Sequence, residues 1–398
     1  MGFGGPNAHL ALMLDEVVER KGWLDREHFL HLVGVTNLIP GPNSSEVAIH
    51  IGYTQRGWRG ALATGLAFLS PTFVLVVLFS WLYFRFGTLP QVEGIFWGLK
   101  PAILAVILAA GWKLAKVALE AGPPGPDRGD QLSSAQDRSL LFRRSLLLLL
   151  AFGGVATALL LERWEVGAMA LGGILGWGLL RGRWQGGSPP PPPPGPAPGA
   201  PEPRGSAGLL LIPVSASLLP TAAAPLGQIF GLMLGAGAVL FGGGYMLVAL
   251  LEPFVVQGYG WLTPQQFLDG IALTQAVPGP IVTLVAFVGF AAAGLPGAAV
   301  ATAGIYIPSF AAVLLVAPAL ERWRHMESVA AALRGVNAVV AGAILGVGFN
   351  LIPSALEDLW GGAILMVGLV ALIRFKARAV WLVAGGVGAG LAHVLVGI

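Results

Sequence analysis

Two copies of one sequence pattern make up the chain, and this duplication restricts the fold more than any other feature. Residues 3–42 align with residues 241–280 without a gap, and 16 of these 40 positions are identical. After a deletion of one residue the alignment continues, so that Pro71 matches Pro308. Because so long a match exceeds what a shared composition produces, the sequence predicts two copies of one architecture.

Both copies have the composition of a membrane protein. Hydrophobic residues make up 55% of the chain and charged residues only 11%, whereas soluble domains carry roughly 25% charged residues. Several stretches approach the roughly 20 apolar residues that cross a bilayer as a helix. They are residues 61–84, 98–119, 145–161, 228–251 and 329–352. We therefore predict an all-α, multi-pass integral protein of the cytoplasmic membrane, surrounded by the lipid bilayer.

The composition also excludes several classes of function. With no cysteine in the chain, thiolate metal sites, iron–sulfur clusters and disulfides are excluded. The sequence contains no HExxH, no GxSxG and no glycine-rich nucleotide loop, which argues against a membrane-embedded enzyme, and we expect no cofactor or metal. The net charge is only +3, and the basic residues are scattered over short loops. This pattern favours membrane topology over nucleic-acid binding.

A proline-rich linker separates the two copies. Residues 186–208 read GGSPPPPPPGPAPGAPEPRGSAG, a composition that forms no core and is typical of an extended tether. Residues 209–224 are apolar but interrupted by Pro213 and Pro220, which favours an interfacial segment. The predicted domains are a first membrane repeat, a linker with an interfacial segment, and a second membrane repeat, at residues 1–185, 186–225 and 226–398.

The basic residues indicate that the two copies are inserted in opposite orientations. In the first copy, Arg56 and Arg59 mark a cytoplasmic loop, whereas the matching loop of the second copy, residues 291–297, carries no charge. The next loop of the second copy, residues 321–325, reads ERWRH, while its counterpart carries Arg85 nearly alone. Opposite orientation requires an odd number of crossings in each copy. Five per copy gives about ten transmembrane helices in an inverted repeat, an architecture found in many secondary transporters.

Each copy contains a Pro-Gly-Pro break, at residues 40–42 and 278–280. Proline disfavours helix in the residue before it, and Pro42 suits the first turn of a following helix. Basic residues flank the first break on both sides, so its segment is expected to enter and leave on the cytoplasmic side. Residues 25–38 and 43–55 are each too short to cross. We predict two half-helices meeting inside the membrane, a re-entrant hairpin, in each copy.

The start of the second half-helix is a predicted anion site. Helix N-terminal amides and the positive end of the helix dipole favour negative charge, and Asn43, Ser44 and Ser45 add side-chain donors. Arg56 and Lys100 are expected to attract the anion. For Lys100, at the predicted start of a spanning helix, the alternative is a side chain that extends to the membrane interface.

Three ionisable residues of the first copy are candidates for coupling protons to transport. Glu46 and His50 share a helical face with Asn43 and Tyr53, and an ionisable residue within a membrane segment is a functional candidate by default. His9 is the third candidate. The alternative is that Glu46 and His50 pair with each other or face solvent.

The combined motifs resemble the chromate transporter family in its long, two-domain form. The first copy carries FGGPNAH, PGPNSS, GYTQRGWRGA and SPTF, and the second carries FGGG, QAVPGP and IPSF. The resemblance implies membrane export of chromate, with the two halves inserted in opposite directions. It assigns structural motifs to Phe3, Gly4, Gly5, Phe241, Gly242, Gly243 and Gly244, and substrate binding to Pro40, Gly41, Pro42, Ser44, Arg56, Gln275, Pro278, Gly279 and Pro280.

Other interpretations stay open at this point. A carrier for sulfate or another tetrahedral oxyanion would use the same donors, because backbone amides read charge and size. A passive anion channel is disfavoured, since paired opposed hairpins suit alternating access better. Coupling to a proton and assembly into a homo-oligomer are both compatible with the sequence.

Overall fold

The computed structural model describes most of both copies. The described residues are 6–36, 39, 41–87, 89–120, 134–160, 165–180, 224–240, 244–316, 327–356 and 358–396. All regular structure in these residues is helical, which confirms the predicted all-α class.

Six of the described helices belong to the first copy. They are α1 (Pro6–Met13), α2 (Arg26–Thr36), α3 (Asn43–Phe86), α4 (Pro90–Glu120), α5 (Ser134–Leu160) and α6 (Glu165–Leu180). A π-helical turn, Leu14–Arg20, continues α1.

The second copy contributes eight helices within the described ranges. They are α7 (Leu226–Val239), α8 (Met246–Glu252), α9 (Pro264–Ala276), α10 (Leu284–Ala311), α11 (Glu327–Asn350), α12 (Ile352–Ala355), α13 (Leu359–Ile373) and α14 (Ala379–Val396). A π-helical turn, Pro253–Gly258, continues α8 as the corresponding turn continues α1. Residues 228–251 were predicted to form one crossing, and this is wrong: α7 ends at Val239 and α8 begins at Met246.

The described helices include segments that are long and apolar enough to cross a membrane. Three of them, Asn43–Phe86, Val92–Lys116 and Ile281–Leu315, meet this criterion by length and composition. Six shorter apolar helices, of 10–17 residues, accompany them. The number of ten crossings stays a prediction.

The two copies pack through each other's helices. Helix α4 of the first copy packs against α13 and α14 of the second, and α11 of the second copy packs against α5 and α6 of the first. Glycines allow these close approaches: Gly98 of α4 lies against Gly386 of α14, and its counterpart Gly335 of α11 lies against Gly172 of α6. A side chain at either position would meet a backbone carbonyl of the partner helix. The duplication therefore extends to the contacts between the copies.

The backbone repeats the same unusual angles in both copies. Gly41 and Gly279, at the centres of the two Pro-Gly-Pro breaks, have φ of +145° and +148°. Gly57 and Gly294 have φ of +58° and +63°, with ψ of −149° and −152°. Such angles are accessible to glycine at no steric cost. The shared glycines thus mark shared backbone geometry.

Candidate functional site

The first Pro-Gly-Pro break connects two helices, as the sequence predicts. Helix α2 begins after Asp25, whose Oδ1 accepts a hydrogen bond from the amide of His28 at 2.7 Å. Helix α3 begins after Pro42, which has an extended backbone (φ −81°, ψ 102°). The predicted end of the first half-helix, at residue 38, lies just beyond the last residue of α2, Thr36. Pro40 lies outside the described residues.

The chain reverses sharply thirteen residues into α3, at Arg56 and Gly57. The helical segments on either side pack together through Gly52 and Gly60, each of which leaves no room for a side chain beside the other's carbonyl. Arg56 is exposed at this reversal, so the residue expected to attract the anion lies at the surface, away from the break. The second copy repeats the arrangement with Gly289 and Gly297.

Gly41 brings the first break into contact with the second copy. A side chain at Gly41 would collide with the Glu46 carboxyl group, whose Cδ would lie 2.9 Å from the added carbon, and with the hydroxyl of Ser309. The Gly41 amide also donates a hydrogen bond to the Leu240 carbonyl at 2.6 Å. The break of one copy therefore lies against α7 and α10 of the other.

The second break has the matching contact with the first copy. A side chain at Gly279 would collide with Thr72, and the hydroxyl of Thr72 donates a hydrogen bond to the Pro278 carbonyl at 2.9 Å. Thr72 and Ser309 occupy matching positions after Pro71 and Pro308 in the two copies. Each break consequently packs against the same point on the long helix of the opposite copy.

Buried polar atoms without partners collect around the first break. Ser45, Glu46 and Ser309 are each 0% exposed, and Tyr306 is 3% exposed. Among the described residues, the hydroxyls of Ser45, Tyr306 and Ser309 and both carboxyl oxygens of Glu46 have no hydrogen-bond partner outside this cluster. Within it, Tyr306 interacts with Ser45, and Glu46 interacts with Ser309. The great majority of buried polar atoms in proteins have a hydrogen-bond partner. A cluster of four such side chains is therefore the arrangement expected where a polar ligand binds.

The described residues around the second break do not form an equivalent cluster. Thr283, the counterpart of Ser45, donates its hydroxyl to the Pro280 carbonyl at 2.8 Å. Leu284 stands in the place of Glu46, and Leu69 in the place of Tyr306. The Thr72 hydroxyl is also hydrogen-bonded, because it donates to the Pro278 carbonyl. The two breaks thus share a backbone and differ in their side-chain chemistry.

The other polar residues near the start of α3 are buried or half-buried. Ser44 is buried with its Oγ 3.4 Å from Nδ1 of His9, which is buried as well. His50 is 5% exposed, and its Nδ1 has no hydrogen-bond partner among the described residues. His50 and Glu46 are therefore buried side chains, and the alternative that they face solvent is wrong. Asn43 is half-buried at the first turn.

The amides at the start of α3 are partly used by the helix itself. The Glu46 amide donates to the Pro42 carbonyl at 3.2 Å, which is the first regular bond of the helix, and the Ser45 amide donates to the same carbonyl at 2.8 Å. The Ser45 amide is one of those that a helix leaves without a regular acceptor, and here the Pro42 carbonyl accepts from it. The binding of the anion by local amides stays a prediction.

The sequence predicts that Lys100 lies at the start of a spanning helix, and the structure places it elsewhere in that helix. Helix α4 begins at Pro90, well before the predicted start at residue 98, so Lys100 lies in the body of the helix. Its side chain is 8% exposed. The interpretation of Lys100 as a residue that extends to the membrane interface is wrong.

Gln275 and Gly244 lie on the second copy's side of the molecule. The Gln275 amide donates to the Tyr245 hydroxyl at 2.8 Å, and Gly244 is buried against Ile281. The predicted motif residues Phe3, Gly4, Gly5, Phe241, Gly242 and Gly243 lie outside the described residues.

An apolar cavity elsewhere does not suit an anion. It has a volume of about 420 Å³ and lies between α6, α7 and α11, lined by Met169, Trp177, Val239 and Val336 among others. Such a lining offers no hydrogen-bond donor apart from the indole of Trp177. In the part of the chain that the structure describes, no group of three or more His, Asp or Glu side chains is arranged to hold a metal ion.

Comparisons with known proteins agree with the sequence motifs. The family model described as chromate transporter matches residues 1–177 and 227–391. A chromate transport protein of Cupriavidus metallidurans is 30% identical over 377 residues, covering 94% of this chain and 85% of that protein. A probable chromate transport protein of Synechococcus elongatus is 29% identical over 373 residues, covering 94% and 86%. A chromate transport protein of Pseudomonas aeruginosa is 28% identical over 399 residues, covering 95% and 85%.

No solved structure matches the chain. The family match covers nearly the whole sequence outside the linker, and the family is one of membrane transporters rather than enzymes. The chain belongs to the chromate transporter family.

Proposed function

We propose that this protein is a secondary transporter that exports chromate across the cytoplasmic membrane. The oxyanion binds between the first Pro-Gly-Pro break and α10 of the second copy. The observation that carries the proposal is the cluster of buried hydroxyls on Ser45, Tyr306 and Ser309, which have no hydrogen-bond partner outside the cluster among the described residues. Hydroxyl donors in a dry site are suited to an anion with several acceptor oxygens, because hydrogen bonds to charged groups are the stronger ones.

An inverted repeat with two re-entrant hairpins explains why the site lies between the copies. The repeated backbone angles and reciprocal break contacts support a pseudo-two-fold relation between residues 1–185 and 226–398, with residues 186–225 as the linker. In transporters of this construction, substrate binds at the repeat interface and one repeat moves against the other. Movement of α10 away from the first break would open the site to one side of the membrane.

The other candidate residues have supporting roles in this proposal. Asn43 and Ser44 complete the donor set at the start of α3, and His9 orients the Ser44 hydroxyl, which lies 3.4 Å from its Nδ1. Arg56, exposed at the reversal of α3, raises the local concentration of the anion. Lys100 contributes positive charge from within α4.

The test is transport by the purified protein in proteoliposomes loaded with chromate. We expect chromate efflux from vesicles containing the protein and none from empty vesicles. Sulfate has the same shape and charge as chromate and should compete, whereas chloride should compete weakly. Absence of oxyanion transport would contradict the proposal, and a flux insensitive to every imposed ion gradient would indicate a passive channel instead.

Matched variants connect that transport to the site. Ser45→Ala removes one of the unpartnered hydroxyls, and Thr283→Ala removes the counterpart that is bonded within the second break. We expect Ser45→Ala to weaken chromate binding and Thr283→Ala to leave it unchanged. Equal effects of the two substitutions would argue against an anion site at the first break.

A further inference from the structure

The carboxyl group of Glu46 lies within the proposed anion site. Its side chain is 0% exposed, and Ser309 is the hydroxyl with which its carboxyl group interacts; neither oxygen has a hydrogen-bond partner outside the cluster among the described residues. The ion pairs of Arg20 and Lys21 with Glu16 involve an exposed carboxylate and do not include Glu46. Gly41 leaves the space in which the Glu46 carboxyl group approaches Ser309. The carboxyl group and the unpartnered hydroxyls therefore line one small volume.

Histidine and tyrosine side chains are the titratable groups recorded close to the start of α3. His9 on α1 lies beside Ser44, His28 and His31 on α2 interact electrostatically with His50, and Tyr306 lies on α10. Helix α9 also packs on α3 and carries Asp269, which accepts a hydrogen bond from Tyr83 near the other end of α3. Tyr306 is close enough to interact with both Ser45 and Glu46. The π-helical turn Ala312–Val316, which also packs on α3, carries no titratable side chain. No described lysine or arginine forms an ion pair with Glu46 to hold it ionised.

An ionised carboxylate and a dianion cannot share such a volume. Like charges in a poorly solvated site repel strongly, and a carboxylate has no hydrogen to donate to an oxyanion. A protonated carboxyl group removes the repulsion and adds one O–H donor to the hydroxyls of Ser45 and Ser309. Both the charge repulsion and the need for hydrogen-bond donors therefore require that Glu46 is protonated when the anion is bound.

We propose that Glu46 takes up one proton when the oxyanion binds, so that one proton and one dianion cross the membrane together. This inference rests on the proposed function and adds the coupling ion and its direction. The proton comes from the side on which the anion loads and leaves with the anion on the opposite side. Glu46 ionises where the opened site admits water, and the empty carrier returns in that state.

The charge balance of this cycle follows directly. The loaded site carries the two negative charges of the anion, and the empty site carries the one negative charge of Glu46. Each export cycle therefore moves one net negative charge outward. A membrane potential that is negative inside drives export, while an alkaline cytoplasm opposes it, which is the reverse of the pH dependence of a proton antiporter.

Wild-type protein in proteoliposomes tests the direction of coupling. With the membrane potential clamped at zero by potassium and valinomycin, sulfate should accumulate on the side opposite to an imposed acidic pH. One proton per anion predicts a change of about tenfold in the accumulation ratio per pH unit. Accumulation toward the acidic side would show antiport and overturn the proposal, and a ratio independent of pH would overturn it as well. If neither chromate nor sulfate is transported, the proposed function itself fails.

Two substitutions assign the proton to a residue. Glu46→Gln keeps the size of the side chain, and we expect it to retain anion transport but to lose the pH dependence. Glu252→Gln is the control, because Glu252 is the buried glutamate of α8, whose two oxygens lie 3.2 Å from the amide nitrogen of Gln257. It should keep the wild-type pH dependence. Unchanged pH dependence in Glu46→Gln would overturn the assignment.

A binding measurement covers the case in which Glu46→Gln does not fold. Chromate or sulfate is added to the purified wild-type protein in weakly buffered detergent solution with a pH indicator. We expect uptake of about one proton per bound anion, and no uptake with chloride. Anion binding without proton uptake would contradict the proposal while leaving the proposed anion site intact.

Discussion

Ser309 and Thr72 allow a test in which one pair of matched substitutions has opposite effects on stability and on binding. They occupy equivalent positions in the two copies, and each lies against the glycine of the opposite Pro-Gly-Pro break. In the described structure, the Thr72 hydroxyl donates to the Pro278 carbonyl at 2.9 Å, whereas the Ser309 hydroxyl has no partner outside the cluster around Glu46. Thr72→Val and Ser309→Ala remove these hydroxyls and change little else.

The expected magnitudes follow from the two environments. Thr72→Val removes a hydrogen bond and leaves a partly buried carbonyl unpaired, which should lower stability by about 1–3 kcal/mol. Ser309→Ala removes an unsatisfied polar atom, so stability should stay the same or rise. A hydrogen bond to a charged group contributes about 1.5–3 kcal/mol, so loss of the Ser309 donor should weaken oxyanion binding by roughly 10- to 150-fold.

Thermal unfolding of the detergent-purified variants and their chromate affinities provide the two measurements. Thr72→Val should unfold at a lower temperature with an affinity close to that of the wild type, and Ser309→Ala should show the reverse. Wild-type affinity in Ser309→Ala, or a larger loss of affinity in Thr72→Val, would refute the assignment of the anion to the first break.

Three further substitutions test the packing. Tyr83→Phe removes the hydrogen bond from the Tyr83 hydroxyl to Oδ2 of the buried Asp269, at 2.7 Å. It should lower stability by about 1–3 kcal/mol, measured by thermal unfolding. An unchanged unfolding temperature would show that this hydrogen bond between the copies contributes nothing to stability. Gly52→Ala should prevent accumulation of folded protein, because the added carbon would meet the backbone of Gly60, as measured by size-exclusion chromatography. Gly34→Ala, within α2 and with open space around the added carbon, is its control and should raise stability by up to about 1 kcal/mol; equal yields of the two variants would contradict the close contact.

The sequence predicts the architecture through its repetition. The matching Gly41 and Gly279 indicate a shared backbone, and the structure gives them φ angles within a few degrees of each other. The spacing of Glu46 and His50 predicts a common helical face, and both side chains are buried on α3. These features are local, so that a short stretch of sequence contains the information that determines them.

Contacts between segments that are distant along the chain could not be predicted from a short stretch of sequence. Tyr306 and Ser309 lie far along the chain from Ser45, and no local pattern connects them. The internal alignment does indicate part of these contacts, because it pairs Ser309 with Thr72. If the two copies pack with pseudo-two-fold symmetry, both residues must contact the Pro-Gly-Pro break of the opposite copy. The position of Lys100 within its helix was predicted wrongly for a different reason. Helix α4 begins at Pro90, but the polar residues Gln91 and Glu93 interrupt the apolar pattern of its first turns.

The position of the bound anion tests the central proposal most directly. Diffraction data collected near the chromium absorption edge, from crystals of the protein grown with chromate, would locate the metal atom by its anomalous signal. We predict one peak between Gly41 and Ser309, with oxygen atoms within hydrogen-bond distance of the Ser45 and Ser309 hydroxyls. A peak beside Gly279 and Thr72, or at the exposed Arg56, with none at the first break, would contradict it.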